Sequence, residues 1–220
     1  MTGVARIQRT ASMDYVEAPQ KRDSERAARL RTAVRGAYSA AAAEPTGTHP
    51  FPVGRDFAES LGYSADELAT LPAAAVDVFT GVSNVSVFAD LRPGARVLDL
   101  GCGAGLDSLI AARRVGQNGI VVAVDFSAAM LKRARQAAIE AGASNVAFCQ
   151  ADAERLPLKS GVIDVALVNG IFNLNPAREA VFAELARVVH PGGSVYAAEL
   201  ILREPMPPSE VCATDDNWFA

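Results

Sequence analysis

The nine residues Val97-Leu98-Asp99-Leu100-Gly101-Cys102-Gly103-Ala104-Gly105 carry the densest chemical signal in this 220-residue chain. An apolar run ends in an acid and breaks into three alternating glycines, and a helix-compatible stretch from Leu106 to Arg114 follows at once. A chain encodes a strand, a tight turn and a helix N-terminus in this way. The glycines let backbone approach a ligand closely. The helix start offers unpaired N–H groups and a partial positive charge to a carboxylate or phosphate.

Two further acids lie at suggestive distances. Asp125 closes the apolar run Val121-Val122-Ala123-Val124, where a carboxylate can accept hydrogen bonds from both hydroxyls of a ribose. Asp152, in Gln150-Ala151-Asp152-Ala153-Glu154-Arg155-Leu156-Pro157, stands where an adenine amino group would find an acceptor. The glycine turn and Asp125 alone suit NAD and S-adenosylmethionine alike. The dinucleotide fingerprint, however, wants its third glycine where Leu106 stands, one place after Gly105. Asp99 would repel a pyrophosphate and tolerate the ammonium of an amino-acid tail, so the balance moves to S-adenosylmethionine.

These side chains need a parallel sheet to bring them together. From Arg96 onward, apolar runs at 97–100, 120–124, 146–148, 163–168 and 195–198 alternate with helical stretches at 106–115, 128–141 and 176–189. Ser127 and Asn175 are the expected caps, Pro176 the first helical position and Gly142 a stop. Continuous apolar runs read as strands buried on both faces. Alternation of this kind predicts an α/β, Rossmann-like parallel sheet with helices on both faces, in strand order 3-2-1-4-5. Upstream, the spacing predicts a helix from a Ser24 cap to Tyr38, a proline-broken loop over 40–54, and a capping box at Ser64 and Glu67 with Tyr63 and Leu68 as its hydrophobic staple. That short helix is expected to end at Leu71-Pro72, with another over 85–91.

Composition narrows the partners. Half the residues are apolar and 21% are charged, as in a globular domain with a substantial core. A net charge of −4 argues against nucleic acid. No apolar run reaches the length of a membrane span, and the first residues carry no signal-peptide core. Cys102, Cys149 and Cys212 show neither a metal-ligand spacing nor a disulfide framework, which suits a reducing cytoplasm.

The motifs at 97–105, Asp125, 152–157 and Arg187-Val188-Val189-His190-Pro191-Gly192-Gly193 together resemble the class I S-adenosylmethionine-dependent methyltransferases over 96–200. That resemblance implies S-adenosylmethionine as cofactor, with Asp99, Gly101, Cys102 and Gly103 around its methionine moiety. It places Asp125, with Phe126 beside it, at the ribose, and Asp152 with Ala153 at the adenine. Tyr38, in an N-terminal lid, and Asn169, at the C-terminal edge of the fourth strand, complete the implied site.

Val34-Arg35-Gly36-Ala37-Tyr38, Leu61-Gly62-Tyr63-Ser64-Ala65-Asp66-Glu67-Leu68 and Asn169-Gly170-Ile171-Phe172-Asn173-Leu174 are similar to the arsenite methyltransferases within that class, as is Gly105-Leu106-Asp107. The departure falls on the arsenic ligands. Gly170 replaces that family's cysteine, the 40–54 loop holds none, and trivalent arsenic, being soft, needs thiolates. The expected activity is methyl transfer to a small-molecule acceptor. The alternative is a cofactor-binding but inactive or truncated module with an assembly or regulatory role. In-line displacement from a sulfonium needs alignment more than a base, and no catalytic residue stands out. His49, in the proline-rich loop, could reach an active site but reads better as a surface residue, and His190 reads as a structural one at a helix C-terminus. The expected organisation is a disordered 1–22, a helical extension over 23–92, the cofactor-binding domain over 93–204 and a tail over 205–220. The two antiparallel strands that usually complete the class are expected to be missing.

Overall fold

The computed structural model describes residues 21–201. The expectations for residues 1–20, for the tail over 205–220 with Cys212, and for any strand beyond the fifth lie outside the described residues. Within them the chain runs α1 (Lys21–Ala43), α2 (Arg55–Ser60), α3 (Ala65–Ala69), α4 (Ala73–Val76), α5 (Val85–Phe88), β1 (Arg96–Leu100), α6 (Leu106–Val115), β2 (Ile120–Asp125), α7 (Ala128–Glu140), β3 (Val146–Gln150), β4 (Ile163–Asn169), α8 (Arg178–Val188) and β5 (Val189–Ala198). Five strands pair in the order β3-β2-β1-β4-β5, and every neighbouring pair is parallel. This is the topology expected from the sequence.

The strand residues divide by parity, as the period of two requires. Val97, Val121, Val165 and Leu167 pack with Ala111, Ala112 and Val115 of α6. Leu98, Leu100, Ala166 and Val168 turn the other way, onto Val181, Leu185 and Val188 of α8. Helices therefore cover both faces. The edge strands differ from the expectation of burial on both faces: β3 is half-buried or exposed throughout, because it has a neighbour on one side only.

The upstream segments pack as a third layer. Tyr63, Leu68, Leu71, Val76 and Phe79 form one cluster with Leu106, Leu109 and Ile110 of α6. Ser64 caps α3 as expected, its Oγ accepting from Glu67 N–H at 3.2 Å, and the staple residues Tyr63 and Leu68 are both buried. Ser127 likewise caps α7 by accepting from Met130 N–H at 3.3 Å.

Several boundaries need correction. Ser24 lies inside α1, which is already helical at Lys21, and the helix runs on to Ala43 instead of ending near Tyr38. Four consecutive alanines, the best helix formers, carry it into the segment expected to be loop, and Pro45 follows just past its end. Helices α2 and α4 have too few residues to display a period and were not expected. α5 stops at Phe88, short of the predicted 91. α8 begins at Arg178, two residues after Pro176, although Asn175 Oδ1 still accepts from Ala177 N–H at 2.7 Å. His190 is not at a free helix end: β5 begins at Val189, and His190 Nε2 lies 3.3 Å from Asp164 Oδ1. The Pro191-Gly192-Gly193 turn survives as an irregularity inside β5, where the register jumps between Ile163 and Val165 and Gly192 has φ 92°.

Candidate cofactor-binding site

The sheet order reverses between β1 and β4, and the C-terminal strand ends open into a cleft there. Ligands of open α/β sheets bind at such switch points. Each of the sequence-derived candidates lines this one cleft: Tyr38, Asp99, Gly101, Cys102, Gly103, Asp125, Phe126, Asp152, Ala153 and Asn169.

The turn after β1 is built as its glycines demand. Gly101, Gly103 and Gly105 have φ of 76°, 53° and 90°, a region costly for residues with a Cβ. A Cβ on Gly101 would also fall inside contact distance of Ile171 Cγ2. Gly103 N–H donates to Asp125 Oδ2 at 2.9 Å, and Ser127 N–H donates to Oδ1 at 2.7 Å. Asp125 is thereby fixed between the glycine turn and the start of α7, and each oxygen retains a second lone pair for a ligand hydroxyl.

The turn is ringed by buried acid. Asp99, Asp107 and Asp125 are each no more than 6% exposed, and none takes part in any described ion pair. Burial raises the Asp125 carboxyl to about 6, against the pull of its backbone N–H donors. Burial, and next the charge of Asp107, push Asp99 well above the ordinary carboxylate range, although Ser108 Oγ donates to it at 2.5 Å. Carboxylates desolvated in this way favour an incoming cation, which relieves the cost of their ionised form. Cys102 is the opposite of a nucleophile: burial, with Asp125 and Asp99 beside it, raises its thiol well above normal.

Helix α1 closes one side. Arg31 Nη2 pairs with Glu154 Oε1 at 2.6 Å, and Arg35 Nη2 with Asp152 Oδ1 at 3.5 Å, so two turns of α1 are pinned to the loop after β3. Arg35 also sits 5.3 Å from the Phe126 ring centroid. One turn further on, Tyr38 stacks on Phe51 at 4.8 Å, and its hydroxyl shares a hydrogen bond with Thr80. Burial, followed by the charge of Asp125, keeps this phenol in its neutral form.

Asn169 lines the cleft, but its polar atoms are engaged elsewhere. Oδ1 accepts from Val82 N–H (2.8 Å) and Ser83 N–H (3.2 Å), while Nδ2 donates to Ser83 O (2.7 Å) and Asp107 Oδ2 (2.9 Å). It ties the loop before α5 to β4. Asp107 is the hub of that tie, since it also accepts from Tyr63 Oη at 2.6 Å and from Ser86 N–H and Oγ. The sequence had matched Asp107 to a motif without giving it a role. Its signal was there: an acid in the first turn of a helix that is buried almost all round. Thr80 and Gly81 left no such signal, because their place is set by tertiary packing.

Gly170 adopts φ 74°, and a Cβ there would meet Val82 Cγ1 at 3.0 Å. A side chain here, where the resembled family has a cysteine, would be strained by the backbone and crowded by Val82.

A switch-point cleft with a glycine turn, acids on three successive strand ends and a helical cover defines an α/β nucleoside-cofactor protein. Comparison with known proteins makes this specific. Residues 91–219 match the family model described as a methyltransferase domain, and the chain belongs to that family. It is 38% identical over 149 residues to an arsenite methyltransferase of Halobacterium salinarum, covering 68% of this chain and 38% of the relative. It is 39% identical over 110 residues to a ubiquinone/menaquinone biosynthesis C-methyltransferase of Stutzerimonas stutzeri, covering 49% of this chain and 43% of the relative. Among solved structures, an arsenic(III) S-adenosylmethionine methyltransferase from Chlamydomonas reinhardtii superposes with a TM-score of 0.55 at 29% identity, over 72% of this chain and 52% of that one. The chain thus spans less than half the length of these curated relatives. No helix among the described residues is long and apolar enough to cross a membrane.

Proposed function

We propose that the chain binds S-adenosylmethionine in the switch-point cleft and transfers its methyl group to a small-molecule acceptor. The observation that carries this reading is the group of three buried carboxylates around the glycine turn, none of them ion-paired among the described residues. The donor brings an ammonium and a sulfonium, the two cations such a site favours, whereas a pyrophosphate would be repelled.

In this reading Asp99 and the backbone from Gly101 to Gly103 hold the amino-acid end, and Asp125 accepts from the ribose hydroxyls. Asp152 and Ala153 receive the adenine, with Phe126 beside it. Tyr38 and the two arginines of α1 cover the cofactor, which makes α1 a lid. Bound there, S-adenosylmethionine supplies a methyl group on a positively charged sulfur, and the bonding pair stays with that sulfur as the acceptor takes the methyl. The residues of the chain contribute alignment and water exclusion, the terms that dominate such a displacement. A cytoplasmic location suits a protein that uses this cofactor.

A calorimetric titration with S-adenosylmethionine tests the reading. Asp125→Ala removes an acceptor of two ligand hydrogen bonds and should weaken binding by about 10- to 100-fold. No binding by the unaltered protein, or equal binding by both, refutes it.

A further inference from the structure

We infer that the β4 side of the cleft receives an acceptor that is uncharged and largely apolar, and that its described residues offer no thiolate to a metalloid. The inference rests on the methyltransferase reading and names the substrate class for the same site. Its basis is a division of the cleft at the switch point. The ionisable side chains that line the cavity sit above β1, β2 and β3, at the start of α6 or on α1. The wall beyond β4 is made by Phe79, Thr80, Gly81, Gly170, Ile171 and Leu174, and none of these can carry a charge.

The polar groups nearest this wall are already committed. Asn169 spends both ends of its amide on the loop at 82–83 and on Asp107. Asn175 Oδ1 accepts from Ala177 N–H. Glu199, just behind the wall, turns Oε2 to the backbone N–H groups of Phe172 (2.7 Å) and Asn173 (3.1 Å), and Oε1 to that of Leu200 (3.1 Å). Arg31 and Arg35 are engaged with Glu154 and Asp152 on the opposite side. Among the described residues, the Tyr38 and Thr80 hydroxyls, bonded to one another, also stand at this wall, and a hydroxyl or carbonyl of a ligand could join them.

Burying an anion or an ammonium against such a wall leaves it desolvated without a partner, at a cost of several kcal/mol. An apolar body gains by displacing water there. The wall is closely packed at Gly81. A Cβ at that position would lie 2.5 Å from Asn169 Nδ2 and 2.7 Å from Phe79 Cζ, so no larger residue fits without moving the wall. Thiol capture has little to work with. Among the described residues lining the cleft the one cysteine is Cys102, whose buried thiol is held protonated and donates to Gly103 O at 3.7 Å.

The test measures binding, not turnover. Protein saturated with S-adenosylhomocysteine is titrated with 2-naphthol, 2-naphthoate, 2-naphthylmethylammonium and arsenite, each followed by calorimetry. The expected result is that 2-naphthol binds at least about tenfold more tightly than either charged analogue, the least that an uncompensated buried charge should impose. Arsenite should give no saturable heat. Leu174→Lys, in protein that still titrates with S-adenosylhomocysteine, should invert the order of naphthol and naphthoate. Equal or tighter binding of a charged probe, tight arsenite binding, or no saturable naphthol binding overturns the inference and leaves the cofactor reading intact. Failure of S-adenosylhomocysteine itself to bind overturns both.

Discussion

Replacing Asp107 by alanine should unlock the acceptor side of the cleft from the rest of the fold. Its carboxylate accepts from Tyr63 Oη at 2.6 Å, from Ser86 N–H at 3.3 Å and from Ser86 Oγ, and from Asn169 Nδ2 at 2.9 Å. Not every donor would be orphaned, because Tyr63 Oη keeps Ser83 O at 3.1 Å and Asn169 Nδ2 keeps the same carbonyl at 2.7 Å. The full loss falls on the two donors of Ser86, a fully buried residue. At about 1–3 kcal/mol for each buried donor left without a partner, the loss is about 2–6 kcal/mol. Asp107 also raises the cost of ionising Asp99, so removing it returns part of that sum. A net destabilisation of about 3 kcal/mol corresponds to a fall in Tm of about 6–12 °C in a chain of this size. Urea denaturation with a matched thermal melt measures it, and a double-mutant cycle with Asn169→Ala should show a coupling of at least about 0.5 kcal/mol. A loss below about 1 kcal/mol that adds independently to that of Asn169→Ala would refute the reasoning, since a true hub cannot be that cheap to remove.

Other outcomes follow from the same geometry. Because burial raises Asp125 to about 6, protonation removes the ribose acceptor as pH falls through that value. S-adenosylhomocysteine affinity should be at least about tenfold weaker at pH 5 than at pH 7, and Asp125→Asn should remove the step near pH 6, while Asp99, raised to about 8, leaves a separate rise in affinity above pH 7. Gly101→Ala forces a Cβ onto a residue at φ 76° and against Ile171, and should cost at least about 2 kcal/mol by urea denaturation as well as cofactor binding. Arg31→Ala with Arg35→Ala removes two exposed ion pairs, each worth about 0–1 kcal/mol. Melting should hardly move, while S-adenosylmethionine titrates several-fold more weakly if α1 is the lid.

What the sequence disclosed and what it withheld divide along physical lines. The sheet was legible because Val97–Leu100, Ile120–Val124 and Ile163–Val168 are apolar runs interrupted only by Asp99 and Asp164, and the glycine turn because three positive-φ positions admit little else. Nine of the ten candidate residues converge on one cleft because strand ends carry their following residues to the same edge of a parallel sheet, and the tenth, Tyr38, is brought there by α1. The extent of α1 was hidden, since the alanines after Tyr38 have no amphipathic period to read. Helices α2 and α4, of six and four residues, are too short to show a period, and their buried residues Ala58, Ala75 and Val76 join one cluster with residues of α6 and α7. The neutral character of the β4 wall was equally invisible. It depends on where Asn169 and Glu199 direct their polar atoms, a matter of tertiary hydrogen bonding that no spacing encodes.

A crystal structure with S-adenosylhomocysteine tests the central claim most directly. Both ribose hydroxyls should lie within hydrogen-bond distance of the Asp125 carboxylate, the adenine beside Asp152 and Ala153, and the homocysteine ammonium against Asp99. The sulfur should face the uncharged wall of Thr80, Gly81 and Ile171. A ligand bound elsewhere, or seated with its adenine on the β4 side, would contradict the claim.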